Sequence, residues 1–102
     1  MGLNILSLFL LLLAGLFFFS GCGPDERAIQ RAGIHAGLGY NALQQGDPTS
    51  ALRELYEAEK LNPRDPYIQH ALGMALSAKG KYPDALEHFR KALELDPKYT
   101  EV

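Results

Sequence analysis

The chain has 102 residues and a net charge of −2, with ten Lys and Arg interleaved among twelve acids; it carries no basic face for nucleic acid and no charge-based hold on anionic lipid. The 47% of hydrophobic residues are unevenly spread: no Lys, Arg, Asp or Glu precedes Cys22, and the 81 residues from Cys22 onward suffice for one small domain with a thin core. A single cysteine excludes an intrachain disulfide.

Residues 3–19 read LNILSLFLLLLAGLFFF, slightly short of the roughly twenty apolar residues that a membrane-spanning helix needs. The run ends in Phe19-Ser20-Gly21-Cys22, with small residues immediately before the cysteine, as cleavage by a signal peptidase requires. These four residues resemble the bacterial lipobox, with Phe19 where Leu is usual. The resemblance implies that residues 1–21 are a lipoprotein signal peptide and that Cys22 carries a covalent lipid, whose two or more acyl chains would anchor the protein stably. No Lys or Arg opens the leader. An uncleaved membrane anchor, or a start lying a few residues upstream, are therefore the alternatives. Gly23, rather than Asp, follows the cysteine. By resemblance to Gram-negative lipoproteins this points to the periplasmic face of the outer membrane over an inner-membrane anchor.

Beyond Cys22 the sequence is punctuated for helices. Asp25-Glu26 places acids at a helix start, and the pattern predicts a helix from Pro24 or Asp25 to Gln45, with Ile34, Leu38, Ala42 and Gln45 along its apolar stripe. Gly46 ends it, and Asp47-Pro48 starts a second helix over 48–61, with Asp as N-cap and Pro at the first position. Asp65-Pro66 repeats the device for a third helix running to about Lys79. Gly80 stops it, and Pro83 opens a fourth over 83–95.

The same stretch occurs twice. Gly39, Gly46, Ala51, Ala58 and Pro63 return 34 residues later as Gly73, Gly80, Ala85, Ala92 and Pro97, and Leu38, Leu52 and Leu61 as Leu72, Leu86 and Leu95. A fixed period of this length marks one helix-pair unit stacked on its copy. Leu-Gly in the first helix, a turn Gly, then Ala, Phe/Tyr and Ala in the second, and a closing Pro resemble the tetratricopeptide repeat, with Phe89 keeping the aromatic and Leu55 replacing it. The resemblance covers residues 32–65 and 66–99. It implies an all-α fold: two helix-turn-helix repeats of an α-solenoid within a domain 22–102. The small pairs Gly39/Ala51 and Gly73/Ala85 belong where antiparallel helices cross closely. Phe89 and Leu93 end the stack without a covering helix, and Thr100-Glu101-Val102 reads as the first turn of a third repeat. Two repeats are fewer than the usual three. The chain is thus expected either to be part of a longer repeat protein or to borrow a cap, by binding a partner or by self-association through its uncapped C-terminal repeat.

No motif carries catalysis. The glycines of Gly73 to Gly80-Lys81 are spaced wrongly for a phosphate loop, and neither H-E-x-x-H nor G-x-S-x-G occurs. His35 and His70, on successive first helices, are too few for a metal site. No cofactor is expected beyond the lipid on Cys22. Glu54, Glu57 and Lys60 read as a solvated face. Binding remains. In tetratricopeptide domains the first helices line a concave groove, which the resemblance maps to Ala36, Tyr40, Leu43 and Gln44, then Tyr67, His70, Met74 and Ser77. The family's carboxylate clamp uses Lys and Asn, and its positions here hold Ala36, Gly37, Tyr40, His70, Ala71 and Met74. A lining of Tyr, Met and Leu suits an apolar or amphipathic segment of an envelope protein. Lipobox and repeats together resemble the tetratricopeptide lipoproteins of type IV pilus assembly. They imply a membrane-anchored adaptor assisting secretin assembly, a general scaffold for outer-membrane protein assembly, or a regulatory fragment of a larger protein.

Overall fold

The computed structural model describes Ile5 and residues 25–101. The leader, Cys22 and Gly23-Pro24 lie outside the described residues. Among those described, no helix is long and apolar enough to cross a membrane. The chain forms α1 (Glu26–Gln44), α2 (Pro48–Leu61), α3 (Pro66–Ala78) and α4 (Tyr82–Leu95), then a 3-10 turn, η1 (Pro97–Glu101). No strand occurs among the described residues.

The turns follow from the capping residues. Gly46 and Gly80 adopt φ of 78° and 77°, a left-handed conformation that costs glycine least. Gly46 N–H donates to Leu43 O at 3.0 Å and Asp47 N–H to Ala42 O at 2.9 Å; Gly80 and Lys81 repeat this onto Ser77 O and Leu76 O, both at 2.9 Å. This doubled bond ends each first helix by satisfying its last carbonyls. The Asp47 carboxylate accepts from Ser50 N–H at 3.0 Å and from the Ser50 hydroxyl at 2.6 Å. Asp65 accepts from Tyr67 N–H at 2.9 Å. Asp25 and Lys81 stand at the N-caps of α1 and α4 without a capping side-chain bond.

Each turn folds its two helices back on each other: α1 on α2, α3 on α4, with α2 laid on α3. The closest crossings fall at the glycines. A Cβ on Gly39 would lie 2.6 Å from Leu55 Cγ and 3.2 Å from the Ala51 carbonyl, and one on Gly73 would lie 2.5 Å from the Phe89 ring. Ala32, Ala36, Ala51, Leu55 and Ala58 of the first pair join Ile68, Ala71, Leu72, Ala75, Leu76 and Ala85 of the second in one core.

The expected stripe on α1 is corrected. Ile34 is 64% exposed and Leu38 50%. The buried residues are Ala32, Ala36 and Gly39. The helix turns about 100° per residue, which puts Ile34 on the far side from Ala36. The fully buried side chains of α1 are small ones, with Leu43 partly buried against the core near the end of the helix. Of the expected first turn of a third repeat, Thr100 and Glu101 belong to the 3-10 turn Pro97–Glu101 and Val102 lies outside the described residues. Where the repeat places the capping pair Asp65-Pro66, the chain has Tyr99-Thr100, which offers no capping carboxylate and no pre-set first-turn proline.

Candidate functional site

A pocket of about 430 Å³ opens between α1, α3 and η1, lined by Tyr40, Tyr67, His70, Met74 and Tyr99. Tyr67, His70 and Met74 are spaced by three and four residues and so share one face of α3. Tyr40, on α1, brings its ring to 6.2 Å from that of Tyr67, tilted by 47°. Tyr99 reaches back from η1 and sets its ring edge-on to His70 at 5.6 Å. The His70 ring also lies 5.5 Å from Phe89 of α4.

The pocket is neutral at physiological pH. Burial lowers the His70 pKa below 6.5 by disfavouring the imidazolium. Burial also raises the Tyr67 phenol, helped by Tyr40, Tyr99 and Asp65. Tyr99 is raised by burial and then by Asp65 and Asp96. The walls therefore offer ring faces, a thioether and phenol hydroxyls. They hold no nucleophile set against a base, and no group of three or more metal-ligating residues occurs among the described residues.

Of the eight groove positions expected from the sequence, Tyr40, Tyr67, His70 and Met74 line this pocket. Ala36 does not: it is 3% exposed and sits in the core, where its small side chain permits close packing. Leu43 packs against the same core. Gln44 is exposed at the end of α1 and Ser77 half-buried near the end of α3, and neither lines the pocket. Tyr99 escaped the sequence reading. Its only signal was a Tyr standing where the repeat called for a capping Asp.

The histidines take separate partners. His35 Nδ1 lies 2.7 Å from Glu54 Oε2 and donates to it, since a carboxylate only accepts. Glu54 is thus part of a partly buried pair rather than of a solvated face, whereas Lys60 and Glu57 form the expected exposed pair at 2.9 Å. In the second repeat the matching pair is Gln69 and His88 at 2.8 Å. Gln69 Nε2 also donates to Glu59 at 2.9 Å and to the Pro63 carbonyl at 3.3 Å.

Residues 37–100 match the tetratricopeptide repeat family. Over 61 residues the chain is 43% identical to a TPR repeat-containing protein of Pseudomonas aeruginosa, covering 60% of this chain and 25% of that protein. It is 41% identical over 59 residues to cellulose synthase operon protein C of Escherichia coli, covering 58% of this chain and 5% of the relative. It is 33% identical over 73 residues to tetratricopeptide repeat protein 37 of Xenopus laevis, covering 72% of this chain and 4% of the relative. The chain thus spans a quarter or less of the length of these relatives. No solved structure gives a significant match. Repeats of this kind mediate protein–protein interaction through stacked helix pairs, here with a glycine at each close crossing and a groove lined by the first helices. The chain belongs to the tetratricopeptide repeat family.

Proposed function

We propose that this protein is a membrane-anchored adaptor of the bacterial cell envelope, which holds an apolar or amphipathic segment of another envelope protein in the pocket between α1, α3 and η1. The observation that carries the reading is the uncharged wall of Tyr40, Tyr67, His70, Met74 and Tyr99. Aromatic faces and a flexible thioether gain most from burying apolar surface, and the phenol hydroxyls can bond a partner backbone. The lipobox-like Ser20-Gly21-Cys22 supports lipid anchoring at Cys22, and Gly23 supports the outer membrane. Only Gly23-Pro24 separates Cys22 from the Asp25 N-cap, which would keep the groove close to the bilayer.

The finer reading is assistance to secretin assembly in type IV pilus biogenesis, supported by the combination of lipobox and repeats. The competing reading is a general envelope scaffold. One bacterial relative takes its name from a cellulose synthase operon rather than from a pilus, which is compatible with the scaffold reading.

Site-specific photo-crosslinking in intact bacteria tests the adaptor reading. A crosslinker at Tyr40 or Met74 is expected to capture one envelope protein through an apolar segment, and a crosslinker at the exposed Arg53 on α2 is not. Equal capture at all three positions would count against the groove. Palmitate incorporation that disappears in Cys22→Ala tests the anchor separately.

A further inference from the structure

The internal repeat shows what each open edge of the stack is built to meet. Ile34 and Leu38 on α1 recur 34 residues later as Ile68 and Leu72 on α3. The first pair is 64% and 50% exposed, the second pair 0% and 0%. The residue types are the same. The difference is that α2 lies against α3, whereas no helix among the described residues lies against the outer face of α1. The other edge mirrors this. Leu52 on α2 is 9% exposed under α3, and its copy on α4, Leu86, is 51% exposed.

We propose that copies of this chain associate head to tail, with the outer face of α4 in one copy seated on the outer face of α1 in the next. The contact continues an interface that the chain already makes internally, because α4 carries the copy of the α2 surface and α1 the copy of the α3 surface. The register follows. Within the chain, α2 meets α3 through Glu59 with Gln69 at 2.9 Å and, at the other end, Thr49 with Lys79 at 3.0 Å. Shifted by one repeat, Leu93 meets His35 and Pro83 meets Gln45 of the next copy, with Leu86 between them opposite Leu38. Leu93 stands where the internal interface has Glu59 and is itself 37% exposed, so the intermolecular contact is the more apolar of the two. The turn η1 does not block it. Pro97 and Tyr99 are the copies of the linker residues Pro63 and Asp65, and η1 leaves Leu86 and Leu93 open.

Such a contact joins two different surfaces, so it does not close on itself and builds open-ended strings rather than a dimer. None of Ile34, Leu38, Leu86 and Leu93 lines the pocket, so variants at these residues test this inference separately from the adaptor reading.

The test uses the full chain in a mild detergent, with three samples measured by sedimentation velocity: Leu38→Glu alone, Leu86→Glu alone, and the two mixed. Each variant loses one edge and keeps the other. The wild type is expected to grow with concentration, each variant alone to stay monomeric, and the mixture to form a one-to-one dimer of doubled mass. Circular dichroism checks that the variants fold, and Ile34→Glu with Leu93→Glu repeats the experiment on other residues of the same edges. A wild type that stays monomeric up to about 1 mM, where even weak specific contacts form, would overturn the proposal. So would single variants that associate by themselves, which would indicate a symmetric or micelle-driven contact, or a mixture that stays monomeric.

Discussion

The Gln69 carboxamide binds the His88 ring at 2.8 Å, in the place where, one repeat earlier, Glu54 binds His35 at 2.7 Å. Gln69 is 2% exposed and belongs to the core layer. Its Nε2 donates to Glu59 and to the Pro63 carbonyl, which leaves Oε1 as acceptor. His88 Nδ1 must then carry the proton. Three elements, α2, α3 and α4, are tied together through this one side chain.

Removing the carboxamide should therefore loosen the stack. Gln69→Ala leaves Glu59 and His88 without their buried partner and opens a cavity. A loss of about 1–3 kcal/mol is expected in chemical denaturation. Gln69→Glu should cost more, because it sets a second carboxylate against Glu59. A loss no larger than that of an exposed control such as Arg53→Ala would refute the bridging role.

Helical glycines should divide into two classes. Gly39→Ala drives a Cβ to within 2.6 Å of Leu55, which is fully buried and cannot step aside. The expected cost is about 1–3 kcal/mol. Gly73→Ala should cost less, since Phe89 sits at the open end of the stack and can tilt outward. Gly33 and Gly37 have nothing within 4 Å of a Cβ. Alanine there should stabilise by up to ~1 kcal/mol each, through helix propensity alone. Melting temperatures of the four variants check the order.

Acid should weaken the fold. Burial lowers the pKa of both His70 and His88 below 6.5, outweighing for His88 the favourable charge of Glu59. In the unfolded chain these rings take up protons near 6.5, earlier than in the folded state. The unfolded state therefore binds more protons, and stability is lost as pH falls below that value. Melting is expected at lower temperature near pH 5.5 than near pH 7.5. His70→Phe, which keeps a ring next to both Phe89 and Tyr99, should reduce that difference. A slope unchanged in His70→Phe would mean that other groups carry it.

Under the proposed anchoring, distance from the membrane should matter. Inserting a long Gly/Ser stretch between Pro24 and Asp25 frees the groove from the bilayer without touching the fold. Partner capture in cells should fall, while the melting temperature stays constant. Unimpaired capture would show that the short tether is incidental.

The architecture was legible because its determinants are local. The 34-residue step, the capping aspartates with their prolines, and the turn glycines each act within a few residues of themselves. The steric role of Gly39 and Gly73 was readable too, since only the smallest residue suits a close crossing. What a side chain faces was less legible. His35 and Gln69 occupy equivalent positions, yet only the packing of α2, α3 and α4 shows that Gln69 ties three helices together. Tyr99 lies in the 3-10 turn Pro97–Glu101, beyond the second repeat's last helix, so its place in the pocket depends on the path of that turn.

Ile34 and Ile68 mark the boundary most clearly. Sequence alone determined that both belong to the same position of the same unit, with the caps and crossings that make it. It could not determine that one is buried and the other open. Burial is set by the neighbour that covers a face, and in a stack that neighbour lies in the adjoining repeat, outside the local pattern. The tertiary structure decided which faces are covered, which four expected groove residues share a pocket, and that a fifth wall comes from Tyr99.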